Sequence, residues 1–257
     1  MTHFDMHQFI CRQDNYGVLV HDHDSGATAS IDAPEAAVIE KELKNKGWQL
    51  THILTTHHHG DHVEGNLALK ERHGCTIIGP AGEPAAIPGI DRKVSGGDAF
   101  TFAGQEVRVI DTPGHTKGHI SFYFPEDATV FVGDTLFAIG CGRVIEGTMD
   151  MMWQSLDRLR KLPPRTTVYV GHEYTEANAR FALTIEPSNR TLQQRADRVF
   201  AERAKGEMTL PTTIEEELRT NPFLRPDSAE IRMRLEMQGK SDAEVFGEIR
   251  RRKDNFK

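Results

Sequence analysis

The stretch His57-His58-His59-Gly60-Asp61-His62 places four potential metal ligands within six residues, in the pattern HxHxDH. Neutral imidazoles with a carboxylate form a donor set that takes zinc, manganese or iron(II). Packing gives no reason for three adjacent histidines, which are weak helix formers and half-polar in a core. In extended backbone, side chains two positions apart point alike. His57 and His59 therefore face one way, and His58 is left outside the expected ligand set.

Three further places repeat the arrangement of an apolar run ending at a Gly- or Pro-containing turn with a His or Asp. Val107 to Ile110 leads into Asp111-Thr112-Pro113-Gly114-His115-Thr116, Val130-Phe131-Val132 into Gly133-Asp134, and Val168-Tyr169-Val170 into Gly171-His172. Ile53-Leu54 stands in the same relation to the histidine cluster. Groups at the same ends of neighbouring strands converge, which is where α/β sheets gather their reactive side chains. The candidates are His57, His59, Asp61, His62, His115, Asp134 and His172. Seven exceed the needs of one tetrahedral zinc and suit two cations that share a ligand. A carboxylate bridges well, which makes Asp134 the expected shared ligand.

The elements that must hold these residues are short strands and a few helices over the first two thirds of the chain. Strands are expected at 17–20, 27–31, 76–78, 106–110, 119–124, 129–132 and 167–170, with helices from Pro34 to a stop at Gly47 and from Val63 to His73. His21 to Gly26 reads as a polar hairpin turn, with His21 and His23 facing solvent. From about residue 175 strand-like runs fade, and helices are expected at 191–205, 214–218 and 243–252. The fold class is α/β with a small helical C-terminal part.

At 257 residues with 38% hydrophobic and 27% charged residues, the composition is that of a globular protein. A net charge of −7 argues against a nucleic-acid partner, and no apolar run is long enough to cross a membrane. The N-terminus lacks the pattern of a secretory signal. Cys11, Cys75 and Cys141 form no CxxC pair, so the expected setting is a reducing cytoplasm with packed thiols.

HxHxDH, TPGHT, VGD and GHE together resemble the metallo-β-lactamase superfamily over roughly residues 1–173. That resemblance implies an αββα sandwich with one metal on His57, His59 and His115, another on Asp61, His62 and His172, and Asp134 between them. Gly171-His172-Glu173-Tyr174-Thr175, Asn221-Pro222-Phe223-Leu224-Arg225 and Arg250-Arg251-Arg252-Lys253-Asp254-Asn255-Phe256 closely resemble the glyoxalase II family, the hydroxyacylglutathione hydrolases. The implied domains are a catalytic one at 1–173 and a helical substrate-binding one at 174–257. Substrate contacts would fall on Arg143, Tyr174, Arg250 and Lys253, whereas Ile145 stands where some members carry an aromatic.

The resemblance implies hydrolysis of S-(2-hydroxyacyl)glutathione, such as S-D-lactoylglutathione, to glutathione and a 2-hydroxy acid, the second step of methylglyoxal detoxification. Two divalent cations, zinc first with iron or manganese as substitutes, would acidify a bridging water, with Asp61 orienting it. No GxSxG elbow is present. The partner is then a small anionic thioester, with neither nucleic acid nor membrane, and the chain is expected to be a monomer. The rival reading is a glutathione persulfide dioxygenase or another hydrolase of the superfamily. A β-lactamase is disfavoured, because Asp134 stands where its zinc-ligand cysteine is expected.

Overall fold

Alternation of apolar and polar residues builds the strands. In Gln105–Asp111, Val107 and Val109 are buried while Glu106 and Arg108 face water, the period-two pattern of a strand covered on one side. The computed structural model describes residues 3–256 and divides into two compact units. One holds the chain through Asp111 together with Thr116–Gly133. The other holds Thr112–His115 with everything from Asp134 onward.

The first unit contains β1 (Asp5–Cys11), β2 (Asn15–His21), β3 (Thr28–Ile31), α1 (Ala36–Lys46), β4 (His52–Leu54), α2 (Gly60–Val63), α3 (Asn66–His73), β5 (Thr76–Pro80), β6 (Arg92–Val94), β7 (Ala99–Phe102), β8 (Gln105–Asp111), β9 (Ile120–Phe124) and β10 (Thr129–Phe131). One sheet runs in the order β1-β2-β3-β4-β5-β6, antiparallel as far as β3 and parallel from β3 to β6. Strands β7 to β10 form an antiparallel meander. Ile39 and Leu43 of α1 pack with Ile53, Leu69 and Ile77 on the outer face of the first sheet. Phe102 of β7 meets His52 of β4 at 5.3 Å between ring centroids, so the meander lies against that sheet's other face. Phe4, Phe124 and Phe131 extend this aromatic layer. Each fully buried ring contributes about 1.5–3 kcal/mol by leaving water.

Because β3 and β4 are parallel and register Ile31 against Leu54, the segments that follow them emerge side by side. Asp32 thereby meets Thr56. Two sequence expectations change in this unit. His21 is buried, not solvent-facing: the β2–β3 ladder extends to His21 and Thr28, whose side chains bond at 2.8 Å, and Trp48 stacks on the imidazole at 4.3 Å. His23 is exposed. The helix expected over 63–73 is broken at Glu64-Gly65, because the Gly65 N–H donates to Ala33 O and a Cβ there would stand 3.0 Å from that oxygen.

The second unit contains β11 (Leu136–Phe137), β12 (Gly140–Cys141), α4 (Met149–Leu159), β13 (Thr167–Tyr169), α5 (Thr175–Ile185), α6 (Arg190–Ala204), β14 (Thr212–Thr213), α7 (Ile214–Thr220), α8 (Ala229–Arg234) and α9 (Asp242–Asp254). Alanines 179, 182 and 196 let α5 and α6 approach closely around Ile139, Leu192 and Val199. Trp153 of α4 packs on Phe246 of α9, and Ser241 and Glu244 close a capping box at the start of α9. No helix among the described residues is long and apolar enough to cross a membrane.

Candidate functional site

In the first unit the strand register fixes the tautomers of two histidines. The Asp32 carboxylate accepts the Thr56 N–H at 2.7 Å and the Thr56 hydroxyl at 2.9 Å, and lies 2.8 Å from His62 Nδ1. The carboxylate is an acceptor, so His62 carries its proton on Nδ1 and presents the Nε2 lone pair. Thr56 has given its only hydroxyl proton to Asp32, so at 3.0 Å it accepts from His57 Nδ1. His57 therefore also presents Nε2. Asp32 lies among the donor atoms of a possible metal group with His57 and His62. Its oxygens, however, are occupied by these three bonds, and its role is to orient the histidines.

The cluster itself changes backbone conformation halfway. His59 ends the extended part, and Asp61 and His62 ride on the single turn of α2, closed by His62 N–H to His59 O at 2.8 Å. His57 stands 4.8 Å from His59 and 4.1 Å from His62, centroid to centroid, so the three rings gather. Asn15 from β2 donates to both the carbonyl and the carboxylate of Asp61 at 3.1 Å. His58 turns away to Glu83, whose carboxylate also accepts from the His58 N–H, the Thr116 hydroxyl and the Gly118 N–H. His119 is buried and stacks on His57 at 4.8 Å. Gly133 has φ +47°, and a Cβ there would lie 2.5 Å from Thr56 Oγ1 and 2.8 Å from His119 Nε2.

In the second unit His115, Asp134 and His172 come together. Asp134 Oδ2 lies 3.4 Å from Nε2 of His115 and 3.4 Å from Nε2 of His172, all three residues being buried. His115 donates from Nδ1 to the Arg143 carbonyl at 2.9 Å, which leaves a lone pair on the Nε2 that faces the carboxylate. Two electron-rich atoms so placed in a buried setting call for a cation between them. In each unit, histidines oriented by partners behind them, with a carboxylate alongside, thus fit a divalent metal.

Beside His172, the ring of Tyr174 stacks at 4.8 Å and 2°, and Phe137 meets both rings edge-on. Tyr174 and Arg143 are exposed. Lys253 donates to Ala177 O at 3.1 Å, and its amine is held below the usual lysine range by burial and then by the Arg250 and Arg143 guanidiniums. Those three cations therefore lie within one electrostatic neighbourhood. Arg251 and Arg252 face water and pair with Glu248. Arg250 is buried, donating to Cys141 O at 2.9 Å and bridging Asp254 at 2.8 Å, so much of its hydrogen-bonding capacity serves the protein itself. Burial pushes the Cys141 thiol up to about 11, which rules it out as a thiolate nucleophile at neutral pH.

Sequence reading did not find Asp32, Thr56, Asn15 or Glu83. Asp32 also follows the end of a strand, at Ile31, and was open to discovery on that ground. Asn15 and Glu83 carry no local signal, because only tertiary folding brings them to the cluster.

Both units fall within families of known proteins. The model of the metallo-beta-lactamase superfamily matches residues 23–172, and that of the hydroxyacylglutathione hydrolase C-terminus matches 173–256. The hydroxyacylglutathione hydrolase of Rhizobium meliloti is 59% identical over 100% of both chains, and that of Brucella anthropi is 59% identical over 98% of this chain and 97% of its own. Among solved structures, ETHE1 from Myxococcus xanthus superposes with a TM-score of 0.70 at 27% identity, covering 96% of this chain and 90% of its own. TTHA1623, solved in a di-iron-bound form, gives a TM-score of 0.60 at 26% identity over 84% of this chain and 98% of its own. Fold and His/Asp clusters together point to a two-metal centre. With full-length identity of this order and the two family models matching 23–172 and 173–256 in succession, the chain belongs to the hydroxyacylglutathione hydrolases of the metallo-β-lactamase superfamily.

Proposed function

We propose that this chain hydrolyses S-(2-hydroxyacyl)glutathione thioesters, S-D-lactoylglutathione among them, to glutathione and a 2-hydroxy acid. The observation that carries the reading is the 59% identity to hydroxyacylglutathione hydrolases over the whole length, C-terminal segment included. In this reading residues 1–173 supply the chemistry and one substrate contact, Arg143, and 174–257 supply the other contacts.

His57, His59 and His115 would hold one divalent cation and Asp61, His62 and His172 the other, with Asp134 shared. Two such cations, with zinc the first expectation, would supply an acidified water and positive charge to meet the developing oxyanion. Asp61, fixed by Asn15, orients the water and accepts its proton. Water oxygen bonds to the thioester carbon, the C–S bond breaks, and the thiolate leaves to be protonated as glutathione. Arg143 and Lys253 bind the glutathione carboxylates, Tyr174 lines the thiol end, and Arg250 adds positive potential from beneath. We further take the enzyme to act as a monomer on this small-molecule partner alone, in the cytoplasm, where its thiols stay reduced.

The purified protein with two zinc ions bound is expected to consume S-D-lactoylglutathione and release free thiol. Lys253→Ala should raise KM roughly tenfold, the equivalent of about 1.5 kcal/mol for one hydrogen bond to a charged group, with a smaller change in kcat. Inertness of the fully loaded enzyme would sink the reading, and oxygen uptake with glutathione persulfide would put the dioxygenase in its place. An unchanged KM would remove Lys253 from the substrate contacts.

A further inference from the structure

A hairpin of four paired residues links two features of the second unit. Strands β11 and β12 pair Leu136 with Cys141 and Phe137 with Gly140, leaving Ala138-Ile139 as the turn. Two residues before the hairpin, across Thr135, stands Asp134. Immediately after it come Gly142, whose N–H donates to Thr135 O at 3.1 Å, and Arg143, whose carbonyl receives the His115 Nδ1 proton at 2.9 Å. A Cβ on Gly142 would lie 1.9 Å from Asp134 O, so the two ends of the hairpin touch with no space to spare.

The turn does not hold itself. Ile139 has φ +55°, a left-handed conformation that a β-branched residue adopts only under strain. Its polar backbone groups are bonded by side chains from the helical segment. Glu217 Oε2 in α7 accepts the Ile139 N–H at 2.9 Å. Asn221 Nδ2 donates to Gly140 O at 2.9 Å and Phe137 O at 3.2 Å, and Asn178 Nδ2 donates to Ala138 O at 3.1 Å. Behind them Glu217 is locked in turn: Oε1 accepts Arg195 Nη2 at 2.6 Å and the Thr212 hydroxyl at 2.8 Å, and Oε2 also receives Asn221 Nδ2 at 2.9 Å. Glu217 and Asn221 are fully buried.

We propose that Glu217 and Asn221 are positioning residues for the metal ligands, clamping a strained hairpin whose two ends set Asp134 and the carbonyl that orients His115. This rests on the two-metal reading above and deepens it. The helical segment then serves the metal centre as well as the substrate. A carboxylate is the group suited to the task, because one side must accept from a guanidinium while the other accepts from two N–H groups. Neither Gln nor Asn in place of Glu217 can do both.

The test is a cobalt(II) titration of the metal-stripped, full-length protein, followed by visible absorbance and by competition with a chelator. Glu217→Gln and Asn221→Ser, the latter keeping an acceptor for the capped Phe223 N–H, should each weaken cobalt binding about tenfold or more and alter its absorption bands. Arg225→Ala, which breaks the pair with Glu186 and a bond to Leu218 O in α7 but no bond to the hairpin, should leave both unchanged. If loss of the Arg195 partner prevents Glu217→Gln from folding, Asn221→Ser decides, since it leaves that ion pair in place. Folded variants that bind cobalt like the parent would overturn the proposal, as would an equal loss in Arg225→Ala. A parent protein that binds no cobalt would instead overturn the two-metal reading itself.

Discussion

Asp32 shows how much a single carboxylate decides. It receives protons from Thr56 and His62, and through Thr56 it also sets the tautomer of His57. Asp32→Asn keeps the shape but points an amide N–H at one of these donors. The strongest relief is for His62 to move its proton to Nε2, the nitrogen needed for a metal. Metal affinity should therefore fall about 10- to 100-fold, while the folded structure survives. Chelator competition measures the first and circular dichroism the second, and unaltered affinity would show that His62 is oriented by something else. At this scale the sequence is legible where chemistry is unusual. Three adjacent histidines announce themselves, but a lone aspartate or Asn15 does not, because its partners lie at distant positions in the chain. His21 illustrates the reverse error: a polar neighbourhood in sequence concealed a stacked, buried ring.

At the scale of elements, the strands that deliver the candidate ligands were readable because burial on one or both faces leaves a clear apolar pattern. β8 and β9 fall where their periodicity puts them. The small pieces were not: β11 and β12 are two residues each, too short for any period, and exist because side chains from elsewhere bond their turn. α4 is another element absent from the sequence reading, although its start is well defined. The Thr148 hydroxyl accepts the Met151 N–H, and Met152, Trp153, Leu156 and Leu159 form its buried face. Thr148→Ala should cost about 1 kcal/mol by leaving that first-turn N–H without its cap. A lower urea midpoint with an unchanged slope is the expected result, and an unmoved midpoint would show that solvent replaces the cap at no cost.

For the molecule as a whole, Glu186 is one of several carboxyls that tie stability to pH. Burial raises its carboxyl, but hydrogen bonds from Arg225, Asn189 and Ser228 outweigh that and hold it below its ordinary 4.5. A carboxyl depressed in the fold stabilises fully above its unfolded value and loses that contribution as pH falls through the folded one. The second unit should therefore begin to lose stability below about pH 4.5. Melting temperatures of the parent and Glu186→Gln should differ at neutral pH and converge in acid, and a constant gap would remove Glu186 from the account. Fold class and the presence of a helical C-terminal part were legible in composition and periodicity. The compact units were not, because the second one claims Thr112–His115 from the middle of the first, and no local pattern marks such a transfer.

That transfer has a bearing on how the chain is made. When synthesis reaches Gly133, every residue of the first unit exists, yet Thr112–His115 still lacks what fixes it. Pro113 O awaits the Ser155 hydroxyl, Gly114 O awaits the Gly147 N–H, and His115 awaits the Arg143 carbonyl. Gly114 must also lie bare against α4, since a Cβ there would stand 2.8 Å from Met152 Cα. A nascent chain can thus complete its first sheet while one of its histidines remains unoriented until Arg143 has been added, and the neighbouring Pro113 carbonyl unbonded until Ser155 follows. A chain that stopped before Arg143 would lack the carbonyl that orients His115.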